Sequence, residues 1–217
     1  MFKLTTLITT LFFTLSLYSQ DNRFSIGLQA GPLFATVNPD PDVLEAKFRT
    51  SFFAGANMRY AFTDHWALQG DVQFSQRGFY FNTRGTLIVQ DGQFAAYRGR
   101  IDHKISYFDF MPEIEFRPVR QIGIAVGPYL SWKAGESIRY GDVIDWASTK
   151  DNHLFNDTDF GLRGKLSGHI GPVTVFVSYL YGLTDISRII ITDENGTHLG
   201  QLSANSRAIA IGAGYRF

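Results

Sequence analysis

The sequence predicts an all-β fold: a closed antiparallel up-and-down transmembrane β-barrel of about eight strands. Three observations carry that expectation. Apolar residues recur with a period of two in eight separate stretches after residue 21, which is the strand period. The connections between those stretches alternate between tight turns and long polar segments. Aromatic residues make up 15% of the chain and glycine 21 of its 217 residues. Such a composition suits closely packed, twisted strands.

Taken in chain order, the first element is a leader. Met1-Phe2-Lys3 supplies one positive charge, Leu4 to Leu17 an apolar run, and Tyr18-Ser19-Gln20-Asp21 a cleavage region. The expectation is a signal peptide over 1–19, cut near 19/20, and a barrel domain over 20–217. A retained anchor would need ~20 apolar residues to span a bilayer, more than this run offers.

Eight strands then follow. Phe24, Ile26, Leu28 and Ala30 alternate with Ser25, Gly27, Gln29 and Gly31; Phe52, Ala54, Ala56, Met58, Tyr60 and Phe62 alternate with Ser51, Gly55, Asn57 and Arg59. In the third, Trp66, Leu68, Val72 and Phe74 oppose Gln69, Asp71, Gln73 and Ser75, and a slip of phase near Arg77-Gly78 suggests a glycine bulge. The fourth sets Phe108, Phe110, Pro112, Ile114 and Phe116 against Asp109, Met111, Glu113 and Glu115. In the fifth, Ile122, Ile124, Val126, Leu130 and Trp132 oppose Gly123, Gly127, Tyr129 and Lys133. In the sixth, Phe160, Leu162, Leu166 and Ile170 oppose Arg163, Lys165, Ser167 and His169. Val173, Val175, Val177 and Tyr179 mark the seventh, and Ile209, Ile211, Ala213, Tyr215 and Phe217 the last.

Residues 63–65, 117–121 and 171–172 read as turns, whereas 38–50, 82–103, 135–156 and 186–203 read as long loops. Short turns at one end and long loops at the other is the plan of outer-membrane barrels, with both termini on the short-turn, periplasmic side. Tyr60, Phe62, Trp66, Phe116, Tyr215 and Phe217 fall beside short turns as an inner aromatic girdle; Phe34, Phe79, Phe81, Trp132 and Tyr181 are assigned to an outer one.

Composition excludes several functions. There is no cysteine, so disulfides, thiolate metal sites and cysteine nucleophiles are absent. Twenty basic against twenty acidic residues offer no electrostatic handle for nucleic acid. Ser167 and His169 share a face that points inward, and the other histidines lack metal-ligand spacing, so no catalytic residue, cofactor or metal site is assigned. Acidic loop residues Asp40/Asp42, Asp151/Asp157/Asp159 and Asp193-Glu194 offer oxygen ligands for calcium, but no calcium-loop pattern.

The inward faces carry Arg59, Asp71, Asp109, Glu113, Glu115, Lys133, Arg163, Lys165 and Arg216. An eight-stranded barrel is narrow enough to be filled by its own side chains, so the expectation is a paired charge network plugging the lumen; a narrow ion or transport path is the alternative. A soluble lipocalin-like binding barrel is the third reading. The long loops hold apolar residues among polar ones, Leu87-Ile88-Val89 and Phe94, then Val143-Ile144 and Trp146, which point to a protein partner at that end.

The chain resembles the PorT-like outer-membrane β-barrel family of bacteria with type IX secretion. The resemblance rests on Phe74-Ser75-Gln76-Arg77-Gly78, Gly127-Pro128-Tyr129, Asp159-Phe160-Gly161, Tyr181-Gly182-Leu183-Thr184 and the ending Gly212-Ala213-Gly214-Tyr215-Arg216-Phe217. In the fourth strand Tyr107-Phe108-Asp109-Phe110-Met111-Pro112 is one residue longer than the family's usual run. The resemblance implies a Gram-negative outer-membrane protein in contact with lipid, non-enzymatic, structural or interaction-forming, and accessory to protein secretion. Gly212, Tyr215 and Phe217 resemble the terminal signal read by the barrel-assembly machinery.

Overall fold

The structure is a computed structural model that describes residues 23–40, 45–90, 93–141, 144–148, 154–188, 190–192, 198–201 and 203–217, with backbone only at 40, 83–90, 93–98, 144, 190–192 and 198–201. The signal-peptide assignment and the loop acids Asp42, Asp151, Asp193 and Glu194 lie outside the described residues.

The strands are β1 (Phe24–Asp40), β2 (Lys47–Ala61), β3 (Trp66–Gln90), β4 (Gln93–Val119), β5 (Ile122–Tyr140), β6 (Ile144–Ser148), β7 (Thr158–Ile170), β8 (Val173–Asp185), β9 (Ile190–Thr192), β10 (His198–Gln201) and β11 (Ser203–Arg216). All pairings are antiparallel. Each long strand pairs with its neighbour along the ring, β5 with both β4 and β7, and β1 with both β2 and β11. Eight strands therefore form a closed ring without an edge, β6 extends one side of β5, and β9–β10 make a separate hairpin. Gly27 stands opposite Arg216, so both ends of the ring meet at the short-turn end.

Period-two alternation sorts the side chains, and the sorting is inverted relative to a water-soluble barrel. Outward positions carry Leu28, Phe52, Leu68, Val72, Phe110, Ile124, Leu166 and Val175, all exposed, while inward positions carry Asp71, Asp109, Glu113, Arg163 and Lys165, all buried. Apolar groups exposed on every strand are stable only where the surrounding medium is itself apolar. On β8 the outward run Val173, Val175, Val177, Tyr179, Tyr181 and Leu183 is continuous. Its length suits a tilted crossing of a ~25 Å apolar band. Among the described residues no helix is long and apolar enough to cross a membrane.

Local chemistry sets the turns. Thr63 Oγ1 accepts from the Trp66 amide at 3.0 Å and from the His65 amide at 3.3 Å. These bonds close the β2–β3 turn. Gly171, with a φ of 58°, supplies the left-handed residue of the two-residue β7–β8 turn. Glycine takes that conformation without steric cost.

Four sequence expectations need correction. Residues 82–103 are mostly strand: β3 and β4 stay paired from Trp66↔Phe116 up to Gln90↔Gln93. A hairpin above the bilayer meets water on both faces and loses the alternation that reveals strands. No bulge interrupts the β3–β4 register at Arg77-Gly78; the irregularity lies on the β2–β3 ladder, where Phe48↔Phe79 and Phe53↔Ser75 leave an extra residue in β2. Phe79 and Phe81 belong to the interior: Phe79 is buried with Ile105 and Phe155 in an apolar layer, and Phe81 packs against it. Trp132 and Tyr181 do face outward. Asp159, grouped by sequence with the loop acids, is fully buried within the lumen.

A further irregularity positions lumen groups. Ser106 pairs with Gly135 but Tyr107 with Lys133, so Ala134 is an inserted residue in β5. The inward face of β5 thereby shifts from Tyr129 and Ser131 below to Glu136 and Ile138 above, and Lys133 and Glu136 come within 2.9 Å.

Candidate functional site

The barrel interior is stacked in layers from the short-turn mouth to the loop end. At the mouth, Glu115 receives Arg59 Nε at 2.6 Å and Arg117 Nε at 2.8 Å. His169 lies behind it: Arg216 Nη2 donates to its Nδ1 at 2.6 Å, which leaves Nε2 to donate toward Ser167 Oγ at 3.0 Å and Glu115 at 3.4 Å. The tautomer is assigned from these partners. Ser167 donates its own proton to the Gly123 carbonyl.

The next layer is a compact quartet in which Arg163 contacts Asp71 at 2.6 Å and Glu113 at 3.4 Å, and Lys165 contacts Glu113 at 2.5 Å and Asp71 at 3.2 Å. Both cations also face the Phe176 ring, each 5.9 Å from its centroid. The ring face attracts them electrostatically. Above it Arg77 is the hub: Nη2 donates to Asp109 at 2.7 Å and Ser131 at 3.0 Å, while Nη1 donates to Asp159 at 2.9 Å. Tyr107 and Tyr129 flank its guanidinium at 5.0 and 5.1 Å, and the Tyr129 hydroxyl donates to Asp159 at 3.0 Å. Charges this deep persist because each layer pairs them and adds hydrogen bonds.

Toward the loop end the lumen is sealed by Val37, Phe79, Ile105, Tyr107, Phe155, Ile186 and Ala204. Lys133 sits at this level with Glu136 and Asp157. His103 stacks on Phe79, ring centroids 4.8 Å apart. Burial pushes its imidazole down to about 4 despite the pull of Glu136 and Asp102. His103 is five residues above Phe108, the last strongly exposed apolar position toward the loops among the described side chains of β4, and so lies beyond the membrane band. Outside the seal, Trp146 of β6 is surrounded by Lys104 at 4.3 Å, Arg139 at 5.0 Å and Arg49 at 5.2 Å. Desolvation, reinforced by repulsion from Arg49 and Arg139, lowers Lys104 from its usual value.

All nine inward charges named from the sequence line this interior, with Lys133 at the seal and Arg59 and Arg216 at the mouth. Sequence reasoning missed Arg77, Asp159, Glu136 and the two tyrosines. By sequence Arg77 reads as the site of a phase slip and Asp159 as a loop acid, and both also stand in the motifs that carry the family resemblance. Tyr215 and Phe217 meet edge to face on the outer surface, ring centroids 5.3 Å apart. Gly212 faces inward, where an added Cβ would lie 2.4 Å from the Phe176 ring and 2.7 Å from Phe53. The apolar loop residues Leu87, Ile88, Val89 and Phe94 fall where only backbone is described, and Val143 lies outside the described residues.

The arrangement has little room for solvent or for chemistry. The gap among the charges bordered by Gln29, Asn57, Asp71 and Lys165 is a cavity of 30 Å³. That is space for a water or two. Ser167, His169 and Glu115 do not form a nucleophilic triad: serine and carboxylate both face Nε2, and the serine proton is already committed elsewhere. Among the described residues no cluster of histidine and carboxylate side chains is placed to hold a metal.

A family model for the outer membrane protein beta-barrel domain matches residues 18–188, most of the chain. The chain belongs to the outer membrane protein beta-barrel domain family. Solved structures of similar shape include Ail, the attachment invasion locus protein of Yersinia pestis (16% identity, TM-score 0.47, 90% of this chain and 99% of that one), Neisserial surface protein A (14%, 0.49, 88% and 95%) and OprG of Pseudomonas aeruginosa (13%, 0.44, 90% and 96%). No curated protein matches the sequence. As a member of this family, the chain is a barrel of the Gram-negative outer membrane.

Proposed function

We propose that this outer-membrane barrel is non-conducting and non-enzymatic, a structural or interaction component that works through its loop end as an accessory to protein secretion. The observation that carries the reading is Arg77: a fully buried guanidinium, tied to β4, β5 and β7 at once, occupies the centre of the lumen. Moving an ion past it would require breaking paired charges in a low-dielectric interior. The Ser167–His169 geometry speaks against hydrolysis, and the apolar exterior against a soluble lipocalin-like carrier. The short turns support a periplasmic position for both termini, the Gly212, Tyr215 and Phe217 ending supports handling by the barrel-assembly machinery, and the apolar run Leu4–Leu17 supports a cleaved leader. The secretion role rests on the PorT-like motifs, and a protein partner on the half-buried Trp146 among its three cations.

In planar bilayers the purified barrel should give no sustained single-channel openings; openings that persist and select between ions would replace this reading with a narrow pore. Deleting the gene should reduce type IX cargo at the cell surface, and undiminished cargo removes the secretion role while leaving the non-conducting barrel intact.

A further inference from the structure

The short-turn mouth carries more positive charge than its carboxylates can answer. Arg23, Arg59, Arg117, Arg120 and Arg216 converge on it, and against them stand the buried Glu115 and the rim Asp64. Arg59 and Arg117 share Glu115, while among the described residues Arg23, Arg120 and Arg216 have no carboxylate partner. His169 is a neutral acceptor already taken by Arg216 at its Nδ1, and it supplies no counter-charge.

These guanidinia surround real space. A cavity of 610 Å³ opens between Arg59, Arg117, Arg120, His169 and Arg216, and a second of 320 Å³ continues it past Arg23 and Asp64. The contrast with the interior is sharp, where the comparable gap is 30 Å³ and both Arg77 and Arg163 have their carboxylates. A site that gathers five guanidinium groups against two carboxylates suits a compact oxyanion rather than a folded partner. Planar guanidinium forks match tetrahedral phosphate oxygens two at a time. The mouth also lies at the level of the outward-facing Tyr60, Trp66 and Tyr215. Such an aromatic belt marks the depth of lipid headgroups.

We propose that the arginine cup at the short-turn mouth binds a phosphate group, supplied either by a phospholipid headgroup or by a free phosphate. Arg59, Arg117 and Arg216 form its floor on residues already held by Glu115 and His169, and Arg23 and Arg120 form its adjustable rim. The cup is independent of whether the lumen conducts and of any role in secretion.

The test uses the full barrel in an uncharged detergent, with inorganic phosphate titrated calorimetrically, beside the double variant Arg23→Gln/Arg120→Gln. Both substitutions are at exposed rim positions, and unchanged heat-modifiable mobility certifies the folded barrel. Wild type should take up phosphate with an affinity that falls as salt rises, and the variant should bind about tenfold or more weakly. A parallel arm places both proteins in phosphatidylethanolamine nanodiscs doped with phosphatidylglycerol and counts retained lipids by native mass spectrometry. Lipid retained by wild type and lost from the variant, with no uptake of inorganic phosphate, assigns the cup to a headgroup. If neither probe binds, or the variant binds both as wild type does, the proposal fails.

Discussion

The ring divides into two walls that solve the same problem differently. β3, β4 and β7 line the lumen with Asp71, Arg77, Asp109, Glu113, Asp159, Arg163 and Lys165, with β5 between them adding Tyr129 and Ser131, whereas β8, β11, β1 and β2 line its middle with Phe176, Leu180, Ala208, Ala210, Leu33 and Phe53. Within the bilayer the second wall brings charge inward only at the mouth, through Arg59 and Arg216. Long side chains on one wall need short or flat ones opposite, so Arg163 and Lys165 rest over Phe176 while Gly212 leaves room for that ring. The plug is therefore one charged slab leaning on one apolar slab. Its rigidity depends on both.

Each wall can be attacked separately, and the charged one should fail hardest. Arg77→Ala leaves Asp109 and Asp159 buried without their cation and should cost about 3–5 kcal/mol in denaturant unfolding of the lipid-embedded barrel. Adding Asp109→Asn and Asp159→Asn to Arg77→Met should restore much of that loss, since the penalty lies in uncompensated charge; no recovery would mean that Arg77 acts mainly by packing. On the apolar wall, Leu180 is fully buried. Leu180→Ala opens a void there and should cost about 2–4 kcal/mol, read in the same unfolding assay. Gly212→Ala forces a methyl against Phe176 and Phe53. That overpacking should cost about 1–3 kcal/mol and be relieved by Phe176→Leu. Failure of the rescue would return Gly212 to a role in assembly alone.

A pH-dependent effect belongs to the seal above both walls. The His103 imidazole is depressed to about 4 from an ordinary value of 6.5, so the folded state binds fewer protons than the unfolded one between those values. The cap is then at full stability above the ordinary imidazole value and loses about 1–2 kcal/mol by about pH 5, with no further loss below about pH 4. Amide exchange around Phe79 and Phe155 should accelerate over that window, and His103→Phe should abolish the pH dependence.

The difference between the walls also explains what could be read in advance. Strand number, faces and short turns were legible because lipid outside and charge inside enforce strict alternation, as in Phe108 to Phe116 or Phe160 to Ile170. Arg77 escaped because the lumen changes character just above it: Phe79 and Phe81 continue the same inward face but are apolar, and a change in what fills the barrel imitates a slip in phase. The apolar wall was harder still, since inward Leu33, Phe53 and Leu180 look no different in sequence from outward residues. Glu136 was hidden by the inserted Ala134, which moves the inward face from odd to even positions.

The position of the charged wall in the chain has a consequence for how the barrel is built. Its strands are consecutive members of the ring, so Asp71 can reach Arg163, and Arg77 can reach Asp109 and Asp159, once the intervening sheet has curled, before β1 and β11 have met. The costly neutralisation is thus separable from the final seam, where Leu33 and Ala35 come beside Ala208 and Ala210. A chain paused before closure would hold its buried carboxylates already against Arg77, Arg163 and Lys165, beside an unpaired, mostly apolar margin, and completing it would be a zippering of apolar residues rather than a search for counter-charges.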